Sequence, residues 1–305
     1  MIVHSNTDRM ALFELRSRRC GAEAESSFLR LMSDDLIPSV HILQRTLATD
    51  ISYTVSRMKV LEGIPGNPIG IAYRWFDEGA VALMARLPAF CRVIGLRPGH
   101  EHHIEPLARW YAEHDIKPTF ELVPGQYDKN LGRELARLGF YQSSFHASLI
   151  GKPGTAGCAD AGYADDGGAI ELIATAEALE DYLDAYVAGW GIAEKDHALF
   201  KRNVRPWLEQ AGWSLYLARV DGRPAAAATL YVRDGVGYLA DSATNPSFRR
   251  RGLQVALLRR RIRDAGFAGA DLVFSGAEPL SSSHRNMERV GLRLQFTRAK
   301  WTLAS

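Results

Sequence analysis

Apolar residues recur every three or four positions at Leu43, Leu47, Ile51, Val55, Met58 and Leu61, and the stripe stops at Glu62-Gly63 before Pro65. That period gathers the side chains on one helical face and predicts a long helix from Val40 to Glu62. Two apolar runs, Pro68–Phe76 and Ala80–Leu87, flank the turn signal Asp77-Glu78-Gly79, and Phe90–Leu96 follows as a third strand candidate. Ile104, Leu107, Ala108 and Tyr111 mark a second helix. PTFELV from Pro118 reads as a strand, Asn130–Leu138 as a helix before Gly139-Phe140, and Phe145–Ile150 as a closing strand. The segment Gly151 to Gly168 carries Gly and Ala without apolar periodicity and reads as a linker.

The second half repeats this order. Thr175 stands as an N-cap before a helix with the face Leu179, Tyr182, Leu183 and Tyr186, and Asp196–Leu208 reads as another helix. Trp213–Val220, Pro224–Val232 and Val236–Asn245 are strand candidates around Asp221-Gly222 and Arg233-Asp234-Gly235. Then follow a helix over Leu253–Ala265, a strand over Asp271–Ser275, a helix over Ser283–Val290 and a strand over Gln295–Leu303. An offset of 152 residues carries Gly139 onto Gly291 and lays helix on helix and strand on strand. This is a repeat of elements with little residue identity. It predicts two α/β domains, residues 1–150 and 169–305, joined by the linker 151–168.

Composition agrees with that organisation. The 305 residues suit two domains of about 150 each, and 47% hydrophobic residues suffice for two cores. A net charge of +2 gives no argument for nucleic acid as a partner. Cys20, Cys91 and Cys158 lie too far apart for a CxxC metal or redox pair. Neither a signal peptide nor an apolar stretch long enough to cross a membrane stands out, so a cytoplasmic location without membrane association is expected.

Chemistry concentrates between Tyr238 and Asn286. A predicted strand ends at Thr244-Asn245-Pro246, the turn Arg249-Arg250-Arg251-Gly252 follows, and an amphipathic helix begins at once. Such a turn directs main-chain N–H groups and the positive helix end at one point, which favours a phosphate or pyrophosphate. Gly252 permits close approach of the backbone. From Arg249 to Arg263 there are seven arginines and no acid, so the local field is positive. Of these, Arg259, Arg260, Arg261 and Arg263 read as a solvated helix face. His100, His102 and His103 cluster beside Glu101 and Glu105, but neighbours in a loop lack the convergence a metal site needs, and no metal is expected.

The strand, Pro246, Arg249-x-x-Gly252-x-Gln254 and the following Ala256-Leu257-Leu258 resemble the acyl-CoA-binding motif of the GNAT superfamily of N-acetyltransferases, whose pattern is Gln/Arg-x-x-Gly-x-Gly/Ala. Gln254 departs from the last position of that pattern. The downstream strand DLVFSG and the segment Ser283-His284-Arg285-Asn286 before MERVGL agree with it. The resemblance implies an α/β (α+β) fold of two tandem GNAT-like domains, each a mixed, mostly antiparallel central sheet flanked by helices. It implies acetyl-CoA as co-substrate, with Ala243 and Thr244 on the pantetheine, Arg249, Arg250, Arg251, Gly252, Gln254 and Val255 around the pyrophosphate, and Asn286 meeting the cofactor from the last helix. The reaction implied is acetyl transfer to a primary amine of a small molecule or peptide, with Asp241 as base. Asp241 also reads as a plain structural carboxylate. The position where many members carry a tyrosine acid is Met287, which leaves Tyr238 and Ser283 as lesser acid candidates. Trp190 follows the helix that borders the acceptor in the family and is a candidate for its wall. In the N-terminal half, Arg97 stands at the place of Arg249, but Arg97-Pro98-Gly99-His100-Glu101 makes a poor anion loop and implies a lost cofactor site. Two other readings stay open: a CoA-binding protein without turnover, separated by product formation, and nucleic-acid binding through the arginine run, separated by salt dependence.

Overall fold

The computed structural model describes residues 38–86, 90–154 and 168–304, so Cys20, Cys158 and most of the expected linker lie outside the described residues. In chain order the elements are α1 (Val40–Glu62), β1 (Ala72–Asp77), β2 (Ala80–Met84), β3 (Arg92–Ile94), α2 (Glu101–Ala112), β4 (Thr119–Leu122), α3 (Lys129–Arg137) and β5 (Phe140–Gly151). They continue as β6 (Gly168–Leu172), α4 (Ala176–Trp190), α5 (His197–Val204), β7 (Trp213–Val220), β8 (Arg223–Arg233), β9 (Val236–Thr244), α6 (Leu253–Phe267), β10 (Leu272–Ala277), α7 (Ser282–Arg289) and β11 (Arg293–Leu303). None of the described helices is long and apolar enough to cross a membrane.

The chain divides into two compact units. The N-terminal unit comprises Ser39–Leu149, Gly276–His284 and Leu294–Ser305, and the C-terminal unit comprises Ile150–Ser275 and Arg285–Arg293. β11 lies in the second half of the sequence but does not complete the sheet of that half. It pairs antiparallel with β4, from Ala299↔Leu122 to Thr302↔Thr119, and the N-terminal sheet runs β1-β2-β3-β4-β11-β5.

Within the N-terminal unit, α1 starts where Ser39 Oγ accepts the Ile42 N–H at 3.3 Å, and every residue of the predicted stripe is buried. Each such side chain removed from water contributes about 1.5–3 kcal/mol. The strand expected from Pro68 begins later. Asn67, at φ +40, exchanges two hydrogen bonds with Ile71 through its side-chain amide, and this local closure holds Ile64–Ile71 in turns. β3 keeps the middle of Phe90–Leu96, because Gly95 turns the chain at φ +87. β5 starts five residues before the expected Phe145, directly after Gly139 at φ +84, and its outward Tyr141 and Phe145 hide the alternation a strand would show. Charged residues are buried between α1, β3, β4 and β11. Arg298 lies 2.9 Å from Asp50 and 2.5 Å from Glu121, and Arg92 approaches both carboxylates at 3.4 Å. Burial would raise the Glu121 carboxyl, but Arg92, Arg298 and Lys300 outweigh it and hold the group down to about 2.

The C-terminal unit has the strand order β10-β9-β8-β7-β6. β6 to β9 form antiparallel neighbours, and β10 runs parallel to β9. Thr175 caps α4 by accepting the Ala178 N–H at 3.2 Å. The helix expected over Asp196–Leu208 divides at Pro206, which breaks the α-helical ladder and turns Arg205–Glu209 into a 3-10 segment.

Candidate functional site

Two features of the C-terminal unit meet at the end of β9. The first is a parting of strands. β9 and β10 are in register from Leu272↔Val236 to Phe274↔Tyr238, where the two rings stack at 4.3 Å, and the pairing goes no further. Ser275 Oγ donates to the Leu239 carbonyl at 2.8 Å. On its other edge β9 carries a bulge: Thr229 faces Ala240 and Ala227 faces Ala243, so Asp241 and Ser242 together oppose Ala228. Asp241 takes a left-handed φ of +43 there, a conformation an L-residue adopts at a cost of about 1 kcal/mol. It is half-buried, and its place on the bulge brings it to the same strand end as Ala243 and Thr244.

The second feature is the turn into α6. Asn245 accepts the Ser247 N–H and starts a short 3-10 segment, Pro246–Phe248. Arg250 at φ +64 and Gly252 at φ +74 then bring the chain round to Leu253. No side chain caps α6 at Gly252. The first-turn N–H groups of Leu253, Gln254 and Val255 have no intrahelical acceptor, and with the helix dipole they make a site for an anion. Arg250 and Arg251 are exposed beside it, Arg251 over the Phe248 ring at 5.7 Å.

The residues proposed for the cofactor are brought together, with distinct roles. Arg249 sends its side chain back to the carbonyls of Thr244 at 3.2 Å and Gly189 at 3.4 Å, so its cation ties the end of β9 to α4. Gln254, the departure from the motif, accepts from Asn286 Nδ2 at 2.7 Å, and Arg289 donates to Asn286 Oδ1 at 2.6 Å. Asn286 thus reaches the start of α6, and the Gln254 side chain is drawn towards α7. Met287 is buried in the core, away from any role in proton transfer. Tyr238 is held in its stack with Phe274. Trp190 is 51% exposed at the end of α4, against Tyr186.

Sequence reasoning missed two residues. Gly189 lets α4 touch β9, since a Cβ there would fall 2.7 Å from Ala243 Cβ and 3.0 Å from the Thr244 nitrogen. Arg261, read as part of a solvated face, is completely buried. Its position in the apolar stripe Leu257, Leu258, Ile262 and Ala265 was the available signal, because i, i+3 and i+4 neighbours share a face. Arg260 is also drawn in, pairing with the buried Asp264 at 2.8 Å, the first acid after the arginine run.

The loop at the corresponding place in the N-terminal unit is built differently. Arg97 binds Asp77 at 2.6 Å and the Glu78 carbonyl at 2.8 Å, and His100 Nε2 meets Asp77 at 2.7 Å. The Gly99 N–H donates to Glu101 at 3.3 Å. No group of His, Cys, Asp and Glu among the described residues has a metal-binding arrangement.

A parted strand pair and a helix N-terminus without a side-chain cap thus meet at one strand end. Residues 159–276 match the family model of the acetyltransferase (GNAT) domain. The fold of the chain is similar to that of a GCN5-related N-acetyltransferase from Kribbella flavida, at 20% identity and a TM-score of 0.59 over 85% of this chain and 96% of the other. It is also similar to a tandem GNAT protein from the clavulanic acid biosynthesis pathway, at 14% identity and a TM-score of 0.54 over 83% and 95% of the two chains. A GCN5-related N-acetyltransferase from Sphaerobacter thermophilus aligns at 13% identity and a TM-score of 0.52, over 73% of this chain and 79% of its own. No curated protein matches the chain.

Proposed function

We propose that the C-terminal unit transfers an acetyl group from acetyl-CoA to a primary amine of a small molecule or peptide. The observation that carries this reading is the uncapped start of α6, set beside the free edge of β9 and flanked by exposed Arg250 and Arg251. The residues fit a pyrophosphate: the main-chain N–H groups of Gly252, Gln254 and Val255 are its donors, and Gln254 needs no particular side chain for that. Ala243 and Thr244 offer main-chain groups on the unpaired edge to an extended amide-bearing arm. Domain 169–305, with its last strand lent to the other unit, is the acetyl-CoA-binding part, and the N-terminal half is a GNAT-like domain without a cofactor site.

In the transfer, the amine nitrogen bonds to the thioester carbonyl carbon, the C–S bond breaks, and the ammonium proton passes to Asp241 directly or through water. The position of Asp241 on the left-handed bulge, at the same strand end as Ala243 and Thr244, supports this role. The buried thioether of Met287 supplies no proton. A thiol with a pKa of about 8.5 leaves as thiolate near neutral pH, so protonation by solvent completes the step. The reading takes a small-molecule or peptide amine as partner, with no nucleic acid, and a cytoplasmic setting. Calorimetric titration with acetyl-CoA, followed by product detection against a panel of amines, tests it. One site per chain and an acetylated amine support the reading; absence of binding overturns it. Binding without product would favour a CoA-binding regulatory or interaction protein, the reading that buried Met287 allows.

A further inference from the structure

Arg261 is a fully buried cation whose guanidinium faces main chain rather than a paired carboxylate. Its Nη1 donates to the Thr229 carbonyl at 2.8 Å and to the Ala240 carbonyl at 2.9 Å, and its Nε to the Leu257 carbonyl at 3.0 Å. Thr229 and Ala240 are the residues that face each other immediately before the β8–β9 register breaks. A bulge frees carbonyls from the ladder, and a buried carbonyl left without a donor is costly. Arg261 answers both carbonyls with one nitrogen, from a helix that begins at the anion-binding turn. Thr229 is fixed from α4 as well, where Tyr182 and Thr229 share a hydroxyl hydrogen bond at 3.0 Å. Ala240 directly precedes Asp241, whose left-handed backbone cannot persist unless its surroundings impose it. Tyr216, Tyr182 and Asp241 are the titratable groups facing the guanidinium, and burial lowers its pKa to about 10, which leaves it protonated at neutral pH.

We propose that Arg261 is the positioning residue of the site: it holds the β9 bulge in shape, and through the bulge it sets where Asp241 and the main chain of Ala243 and Thr244 stand. The inference rests on the acetyl-transfer reading for its consequence, and on the hydrogen bonds alone for the bulge. A residue serving general stability would act on the whole unit; a bulge clamp acts first on residues 239–244.

The test is amide hydrogen exchange on the full-length chain, comparing wild type with Arg261→Met and Arg261→Lys, together with acetyl-CoA titration and turnover on the same samples. In Arg261→Met, exchange over residues 239–244 should rise at least tenfold while β7 stays protected, and kcat should fall at least tenfold, with a smaller loss of acetyl-CoA affinity because the pyrophosphate donors lie on α6. Arg261→Lys keeps the charge and one carbonyl bond and should recover part of both effects. Unchanged exchange at residues 239–244 overturns the proposal. So does faster exchange there with wild-type kcat and affinity, or equal acceleration in β7. If the Met variant does not fold, the Lys variant decides by the same readouts. If wild type binds no acetyl-CoA, the acetyl-transfer reading fails, and the positioning role fails with it; the exchange data still separate that failure from an absent clamp.

Discussion

Arg249–Gly252 before α6 and Arg97–His100 before α2 stand 152 residues apart, and each turns through a left-handed glycine, at φ +74 for Gly252 and +95 for Gly99. In the C-terminal loop the arginines meet no acid until Asp264, and the helix start has no side-chain cap. In the N-terminal loop α2 also starts without a side-chain cap, at His100, but the charges and donors ahead of it are used internally. Asp77 neutralises Arg97 and takes His100, Glu101 accepts the Gly99 N–H, and Pro98 has no N–H to give. The comparison teaches that an anion site needs unsatisfied donors as well as the right turn. One carboxylate inside the loop can satisfy them as a phosphate would.

The largest effect expected from breaking this contrast is at Gly252→Asp, which places in the C-terminal loop the kind of carboxylate the N-terminal one contains. Two like charges about 4 Å apart at an effective dielectric near 20 repel by about 4 kcal/mol, so acetyl-CoA affinity should fall by at least about 100-fold in calorimetry. Asp is a good N-cap and tolerates the left-handed region better than most residues, so thermal stability should hold. Unchanged affinity would remove the turn from the binding site.

Next in size is Asp241→Asn. Loss of a general base costs about 100-fold or more in kcat, and Asn suits the left-handed φ of +43. Acetyl-CoA affinity should be retained, because the pyrophosphate donors lie on another element. Wild-type kcat in this variant would leave Asp241 a structural carboxylate.

The buried charges of the N-terminal unit give a third test, on stability rather than binding. Burial, with repulsion from Lys300 and Arg298, pushes the His146 imidazole down to about 4. An unfolded histidine titrates near 6.5, so between these values the unfolded chain binds the extra proton. Stability is therefore complete above pH 6.5 and falls as the pH drops towards 4, by up to about 3 kcal/mol. Glu121, held down to about 2, has the usual carboxylate sign, and its contribution fades only below about pH 4.5. Thermal melts of His146→Gln should show a smaller loss than wild type between pH 6.5 and 4.5; parallel losses would place the acid lability elsewhere.

These contrasts also show what the chain reveals before it is folded. The helices α1, α4 and α6 were legible because apolar period, cap and stop signal agree at Leu43–Leu61, at Thr175 and at Gly252. The turn Arg249–Gly252 was legible for a similar reason, since consecutive residues form it. What was illegible depends on distant partners. Nothing in Arg293–Leu303 says that it will pair with Thr119–Leu122, because register between remote strands is fixed by the assembled sheet. The bulge at Asp241 arises from a one-residue mismatch between β8 and β9, and the burial of Arg261 from the carbonyls that mismatch frees. Arg259, Arg260, Arg261 and Arg263 read as a solvated face because the carbonyls that receive Arg261 lie on strands distant in sequence.

The smallest expected effect is the sharpest test of the comparison. Glu101→Gln removes the negative charge that fills the N-terminal loop while keeping a side chain that can still accept from the Gly99 N–H. If one carboxylate were the whole difference between the loops, the variant would bind a second acetyl-CoA. Arg97 would still face Asp77 and the Glu78 carbonyl, His100 would still hold Asp77, and Pro98 would still lack a donor. The stoichiometry should therefore stay at one per chain, with stability changed by less than about 1 kcal/mol. A second calorimetric site in this variant would mean that the N-terminal loop retains the turn and the donors of its counterpart, and that Glu101 alone keeps them closed.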